Sequence, residues 1–320
     1  MHELEDVPIL AELGDQLKAG FRRQGARRRP SAGRLAVVAA GGTLAVIAVL
    51  AWGLGGGGFV ASEASAAQEL RAAADAAARQ PEAFPGPRQF FYVRWLEAAL
   101  VPLAQPGELG TISLQQSARL TIEGSQWWST TRAGRLRFRV LGVTFRTPAA
   151  RSLWLKLGRP SLRGSAAIAA VLSEPAGPKA LGPHEALTLR RILALPTDPG
   201  TLYRRLFAGG DAVDALFVVR QLDVYPLGPH LRAALYRALA LVRGVEVAGT
   251  VRTLAGSAGE AIGADGVQLI IDPRSGTLLG LRDVVTAAEA PVLKLPVGTV
   301  TSEQAIVARA ITDSLTAPPR

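Results

Sequence analysis

The chain has 320 residues and no cysteine, and its 36 Lys or Arg residues outnumber its 26 Asp or Glu residues, which gives a formal net charge of +10 at pH 7. The lack of cysteine excludes a disulfide framework and any metal site built on thiolates. The length suffices for one large domain or two small ones with a substantial buried core.

Residues 1–34 form a basic tail with one amphipathic segment. Asp6 is a predicted helix N-cap, and Pro8 suits the first turn of the helix that follows. Apolar residues then recur at spacings of three and four and form one stripe, made of Val7, Leu10, Leu13, Leu17 and Phe21. A stripe this short cannot bury itself, so we predict that it either lies on the inner face of a membrane or binds a cytoplasmic partner through its last four members.

Leu35 to Leu54 is a run of twenty uncharged, mostly aliphatic residues. At about 1.5 Å per residue, a helix of that length would cover about 30 Å, the thickness of a bilayer's hydrocarbon core. The run therefore predicts a single transmembrane helix in a lipid bilayer. Lys18 and six arginines precede it, namely Arg22, Arg23, Arg27, Arg28, Arg29 and Arg34.

The charge distribution predicts the orientation of this span. Because basic residues resist translocation, we expect the tail to stay in the cytoplasm and the C-terminal domain to be extracellular, at the cell membrane. The alternative is a cleaved secretory signal, since Ala64-Ser65-Ala66 resembles a cleavage site. That site lies twelve residues beyond Leu54, and the tail before the span is 34 residues long; both values are unusual for a signal peptide.

The composition divides the chain into five parts. They are residues 1–34 as the cytoplasmic tail, 35–54 as the transmembrane helix, 55–88 as a Gly/Ala/Pro-rich linker and helix, 89–306 as an exported α+β domain, and 307–320 as a C-terminal tail. Within the linker, Ala61 to Gln80 is rich in alanine and predicts a helix that ends at Pro81.

β-branched and aromatic residues with partial alternation predict the first strands of the domain. These strands are Gln89 to Leu96, Thr111 to Ile122, Gln126 to Thr131 and Leu136 to Phe145. Five prolines interrupt residues 148–183, for which we predict a loop with one short helix at Ala166 to Leu172.

The second half of the chain predicts helices followed by further strands. A helix begins at Thr197-Asp198-Pro199, apolar residues at helical spacing lie on either side of Gly209-Gly210, and a further helix begins after Pro229. The predicted strands are Val245 to Val251, Gly266 to Ile271, Thr277 to Val285 and Thr299 to Ile306. The fold class predicted from this order is α+β, with a transmembrane helix as the first element.

One basic stretch stands out in the predicted domain. Between Gly124 and Ser173 there is no Asp or Glu, and Arg135, Arg137 and Arg139 alternate strictly with apolar residues. On an exported domain, such a stretch predicts binding to anionic lipid headgroups or to an envelope polymer rather than to nucleic acid. The alternative is a half-buried strand with one solvated face, which needs no ligand.

Catalytic and metal-binding motifs were sought and not found. The sequence contains no phosphate-binding loop of the GxxxxGK[ST] type, and Ser257 lacks the glycine two positions earlier that a nucleophile elbow requires. Histidine occurs only at His2, His184 and His230, without neighbouring ligands at metal-binding spacing. We therefore predict a protein that is not an enzyme and has neither a metal nor another cofactor.

Several segments resemble a known family. They are Leu195-Pro196-Thr197-Asp198-Pro199, residues 231–240, the strand 245–251 and the hairpin 271–279. The pattern is similar to an actinobacterial single-pass membrane protein family of undetermined function, whose genes often lie beside those of extracytoplasmic-function sigma factors. The resemblance implies an extracellular domain with a curved antiparallel sheet and packed helices, as in lipoprotein-carrier proteins. It carries over no catalytic residue.

Two functions agree with these features. In the first, the chain is a membrane-anchored, non-enzymatic envelope regulator or sensor of the anti-sigma type, whose tail helix holds a cytoplasmic sigma factor. In the second, the exported domain is a binding or carrier module for a lipid or other hydrophobic ligand, and the tail is only an anchor. Its ligand groove would be lined by aromatic residues that could equally be core residues, namely Phe90, Tyr92, Trp127 and Trp154.

Overall fold

The computed structural model describes residues 63–82, 84–103, 116–129, 131, 134–159, 179–181, 192–223 and 225–315. The chain divides into the units Met1–Val60 and Ala61–Arg320, and all the described residues belong to the second unit. The predicted tail helix and the predicted span, Leu35 to Leu54, lie outside the described residues.

The described unit is built on a sheet of nine strands, each antiparallel to its neighbours. The spatial order is β4-β3-β2-β1-β9-β8-β7-β6-β5, so the last strand in the chain lies between β1 and β8. The strands are β1 Phe90–Pro102, β2 Ser117–Trp128, β3 Gly134–Phe145, β4 Lys179–Leu181, β5 Glu246–Arg252, β6 Ala258–Ala264, β7 Val267–Asp272, β8 Thr277–Val284 and β9 Val300–Thr312.

Short helices accompany the sheet. They are α1 Glu63–Ala78, α2 Pro148–Lys156, α3 Pro199–Leu202, α4 Ala212–Asp223, α5 Pro229–Leu239 and α6 Ala290–Leu293, and a π-helix, Tyr203–Phe207, follows α3 directly. Side-chain caps begin two of them, of which only the one at Asp198 was predicted from the sequence. The Asp198 carboxylate accepts from the backbone N–H of Thr201 at 2.8 Å, and the Thr147 hydroxyl accepts from that of Ala150 at 3.0 Å.

The core contains the apolar faces of α1 and α5 and the strands of the second half of the sheet. Leu70 on α1 and Leu239 on α5 are fully buried, and so are Leu269 and Ile270 on β7. The turn between β7 and β8 approaches α1 so closely that a Cβ at Gly276 would overlap the carbonyl oxygen of Ala73. Gly276 also has a φ of +64°, so this turn requires glycine on both counts.

The predicted fold class is wrong. In place of a transmembrane helix leading into a lipoprotein-carrier-like domain, the described residues form one nine-stranded antiparallel sheet with a few short helices. None of the described helices has both the length and the apolar character needed to cross a membrane. The longest, α1, has 16 residues and includes the charged Glu69, Arg71 and Asp75.

Individual elements differ from their predictions in instructive ways. The strands predicted at 111–122 and 126–131 are one strand, β2, within the described part. Helix α2 occupies residues that were predicted as loop, because Pro148 takes the first helical position after the Thr147 cap instead of breaking the chain. Strand β6 was not predicted, and β9 continues to Thr312, beyond the predicted end at Ile306. The predicted helix Ala166 to Leu172 lies outside the described residues.

Candidate functional site

Strands β1, β2 and β3 share one face on which arginine dominates. Directly opposite residues of antiparallel strands project to the same side, and Arg94 on β1, Ser125 on β2 and Arg137 on β3 are opposite one another. The same register aligns Leu96 with Glu123 and Arg139. We call this surface the arginine face; its charged members are Arg94, Arg119, Arg135, Arg137, Arg139 and Glu123.

The single carboxylate of the arginine face is shared between two arginines. Arg139 donates to Oε2 of Glu123 from Nε at 3.1 Å and from Nη2 at 2.6 Å, and Nη1 of Arg94 lies 3.8 Å from Oε1 of the same residue. The side chain of Arg139 is 64% exposed, so water and salt screen its ion pair strongly. Five arginines facing one glutamate leave the arginine face with four uncompensated positive charges.

Two arginines of this face have no partner of their own. Arg137 is exposed and Arg119 is half-buried, and neither side chain has a hydrogen bond or ion pair with any described residue. Their guanidinium groups are therefore available to an external anion. The sequence pattern predicted the arginines of β3, whereas Arg94 and Arg119 were missed because only strand pairing brings them to the same face.

Three of the four aromatic residues predicted to line a ligand groove lie together. Phe90, Tyr92 and Trp127 are buried, with 1%, 2% and 4% of their surface exposed, and the rings of Tyr92 and Trp127 are 5.0 Å apart at their centroids. We call these three residues the aromatic cluster. The fourth, Trp154, is in α2 and packs against Phe145, with ring centroids 5.3 Å apart.

Residues near the end of the described part of the chain pack on the aromatic cluster. Leu315 and Ala308 contact it, and Nη1 of Arg135 donates to the carbonyl oxygen of Leu315 at 3.2 Å. Tyr92, Trp127 and Arg135 are directly opposite one another, so the aromatic cluster lies at one end of the arginine face. Arg135 therefore binds the segment that covers the aromatic cluster. One nitrogen of its guanidinium group already has a hydrogen-bond partner.

The opposite face of the sheet holds a partly buried carboxyl group that the sequence analysis missed. Burial raises the pKa of Glu97 on β1, although the nearby positive charge of Arg220 on α4 partly opposes this. Nη1 of Arg220 lies 3.8 Å from Oδ1 of Asp283 on β8. The signal in the sequence that could have revealed this group is the single glutamate among the apolar residues of β1.

Other predicted sites have no counterpart in the described structure. No group of three or more His, Cys, Asp or Glu side chains that could hold a metal ion occurs among the described residues. His230 is exposed at the start of α5, whereas His2 and His184 lie outside the described residues. The predicted partner-binding side chains Leu10, Leu13, Leu17 and Phe21 also lie outside them.

Comparison of the chain with profiles of known protein families, with curated proteins and with solved structures finds no match. The resemblance to an actinobacterial membrane family therefore stays a prediction.

Proposed function

We propose that the unit Ala61–Arg320 is a non-enzymatic binding module that recognises phosphodiester-bearing polyanions through the arginine face. The shared chemistry is the phosphodiester group, which occurs both in anionic lipid headgroups and in envelope polymers. The observation that carries the proposal is the strand register, which gathers five arginines and a single glutamate on one side of β1, β2 and β3.

The chemistry of guanidinium favours this class of ligand. A planar guanidinium group presents several N–H donors that match the oxygen atoms of a phosphate, and it stays charged at any physiological pH. Successive same-face residues on a strand are about 6.7 Å apart and neighbouring strands about 4.8 Å apart, so the arginines form a two-dimensional array of positive charge. Such an array suits a ligand with repeated negative charges better than a single small anion.

Binding of a polyanion to the arginine face would break only weak ion pairs within the protein. Arg119 and Arg137 have no partner to give up among the described residues. Arg94 and Arg139 would exchange Glu123 for phosphate, and an exposed ion pair of this kind contributes only about 0–1 kcal/mol to stability. The attraction to a polyanion, in contrast, adds up over all the arginines it contacts.

A direct test uses the full-length protein with two sources of phosphodiester. Binding is measured to vesicles containing phosphatidylglycerol, to vesicles of phosphatidylcholine alone, and to a soluble poly(glycerol phosphate), at low and high salt. The double variant Arg119→Gln/Arg137→Gln should weaken binding to the preferred anionic source by about thirtyfold, from about 1 kcal/mol per arginine. Binding should also fall as salt is raised.

The matched control is the double variant Arg243→Gln/Arg274→Gln. It removes the same charge from two exposed positions away from the arginine face, in the turns before β5 and β8. The proposal requires near wild-type binding by this control. Equal weakening by both double variants would mean that net charge alone drives binding, and the arginine face would then be an ordinary solvated surface.

In the wider proposal, this module is the sensing part of an envelope regulator outside the cytoplasm. Residues 1–34 would then hold a cytoplasmic sigma factor through Leu10, Leu13, Leu17 and Phe21. A pull-down with residues 1–34 as bait tests this step, and the variant Leu13→Asp/Leu17→Asp serves as its control. Retention of a sigma factor by the native tail but not by the variant supports the regulator; retention by neither contradicts it.

The alternative function, a carrier of hydrophobic ligands, has less support from the geometry. Its proposed lining is already packed, because Leu315 and Ala308 contact the aromatic cluster and its members are at most 4% exposed. A ligand would have to displace the C-terminal end of the chain. Copurification of lipid with the protein, lost in Tyr92→Ala, would favour the carrier over the polyanion-binding module.

A further inference from the structure

A basic cleft lies at one end of the sheet, apart from the residues of the arginine face. It has a volume of about 420 Å³, within the usual size range of small-molecule sites. One wall is the start of β2 and the connection from β3 to α2, and the other is the loop between α6 and β9. The lining residues are Gln116, Arg146, Thr147, Ala149, Lys294 and Pro296.

The polar groups that line the basic cleft are suited to donate hydrogen bonds. Arg146 and Lys294 supply two positive charges, and none of the described lining residues is acidic. The Thr147 hydroxyl oxygen already accepts from the backbone N–H of Ala150, so its own proton is free to point elsewhere. Gln116 adds an amide that can donate two further hydrogen bonds.

Both cations lack an internal partner. The side chains of Arg146 and Lys294 make no hydrogen bond or ion pair with the part of the chain that the structure describes. An anion that enters the cleft would be attracted by both positive charges, which come from elements far apart in sequence.

The backbone at Lys294 is also unusual. This residue ends α6 with a φ of +52° and a ψ of +43°, a left-handed conformation that is costly for a residue with a Cβ. Leu295, which follows it, is 4% exposed and its N–H donates to the carbonyl oxygen of Ala290 at 3.2 Å. Glycine would adopt this backbone conformation at a lower cost in free energy. A lysine at this position therefore lowers local stability, and it places a positive charge at the cleft.

We propose that the basic cleft binds the phosphate group of a small phosphorylated molecule. Two positive charges match a phosphate monoester dianion, and the Thr147 hydroxyl and the Gln116 amide add neutral donors for its oxygen atoms. Ala149 and Pro296 provide apolar surface for the rest of the molecule. This site is independent of the proposed polyanion binding, since none of its described lining residues belongs to the arginine face.

The test measures saturable binding of inorganic phosphate to the full-length protein by calorimetry, with acetate at equal ionic strength as the comparison anion. Arg146→Gln should weaken phosphate binding about tenfold, because one charge-assisted contact is lost. Lys294→Gly should weaken it to a similar extent while raising the melting temperature, because glycine relieves the left-handed backbone. A misfolded variant would instead lose phosphate binding together with a lower melting temperature.

Arg159→Gly is the matched control. Arg159 is exposed, has a φ of +58° and does not line the cleft, so the change removes the same charge and relieves the same backbone conformation. It should raise the melting temperature and leave phosphate binding unchanged. The proposal is overturned if the wild type shows no saturable binding of phosphate above that of acetate, or if Arg159→Gly weakens binding as much as Lys294→Gly does.

Discussion

Strands β7 and β3 bury their residues very differently. On β7, Leu269, Ile270 and Ile271 are at most 1% exposed, so consecutive residues on both faces are buried. The same holds for Phe90 to Val93 on β1, which are at most 8% exposed. On β3, Val140 is 49% exposed and Val143 is 38% exposed, although both are strongly apolar. Burial in the core and exposure to the surroundings are therefore separated between strands of the same sheet.

The largest expected effect tests this separation directly. Leu269→Ala should lower the free energy of unfolding by about 2–5 kcal/mol, because it leaves a cavity in a fully buried region. Val143→Ala, on the exposed strand β3, should lower the free energy of unfolding by less than about 1 kcal/mol. Urea denaturation of both variants measures the difference. Similar losses would show that β3 is as much a part of the core as β7.

Gly276→Ala should have the next largest effect. The added Cβ meets the backbone of α1 at a position with positive φ, so we expect a loss of about 2–3 kcal/mol. Gly209→Ala is the control, since Gly209 also has a positive φ but has open space around its Cβ position. A thermal melt should show the smaller, purely backbone cost of about 1–2 kcal/mol for the control. Equal losses would contradict the close packing of the turn against α1.

The variant Glu97→Gln tests how the stability of the sheet depends on pH. Because burial raises the pKa of Glu97 in the folded state, the folded protein binds the proton more tightly than the unfolded chain does. Wild-type stability should thus fall as pH rises from 4.5, the ordinary pKa of a glutamate side chain, through the higher pKa of the folded state. Above that window the variant should be more stable than the wild type, by on the order of 1 kcal/mol.

The measurement is urea denaturation at several pH values. The advantage of Glu97→Gln should vanish at pH values below 4.5, where the wild-type carboxyl is protonated in both states. Glu246→Gln, at an exposed position on the edge strand β5, should stay within about 0.5 kcal/mol of the wild type. A stability loss for Glu97→Gln at neutral pH would mean that the charge pairing with Arg220 outweighs burial.

The smallest expected effect on stability concerns the arginine face. Glu123→Gln removes its only carboxylate, and the loss of two exposed ion pairs should cost no more than about 1 kcal/mol. Affinity for anionic vesicles should rise several-fold, since Arg94 and Arg139 lose their competitor. A large loss of stability without stronger binding would assign Glu123 a structural role.

Local patterns in the sequence predicted part of this architecture. The alternation around Arg137 correctly predicted a strand with one polar face, and Asp198-Pro199 predicted a helix start, because both signals lie within a few residues. The grouping of Arg94 and Arg119 with the arginines of β3 depends on pairing between distant strands. Nothing in the local sequence specifies that pairing.

Strand β6 was not predicted because of its amino-acid composition. Its sequence, AGEAIGA, has little β-branched or aromatic content, so its intrinsic strand propensity is low. The small residues are required by packing, because a Cβ at Gly259 would lie 2.8 Å from the carbonyl oxygen of Ile271. The aromatic cluster shows the same dependence on tertiary structure: Tyr92 and Trp127 meet through register, whereas Trp154 is carried elsewhere by α2.

The central position of β9 has a consequence for how the protein is made. Apart from their pairing with β9, strands β1 to β4 pair only among themselves and β5 to β8 do the same, so Val300–Thr312 joins the two sets. During synthesis, both sets leave the ribosome before the strand that unites them. Completion of the sheet must therefore wait until residues 300–312 have been translated, and a stop codon before residue 300 would yield two unjoined half-sheets instead of a shortened version of the same fold.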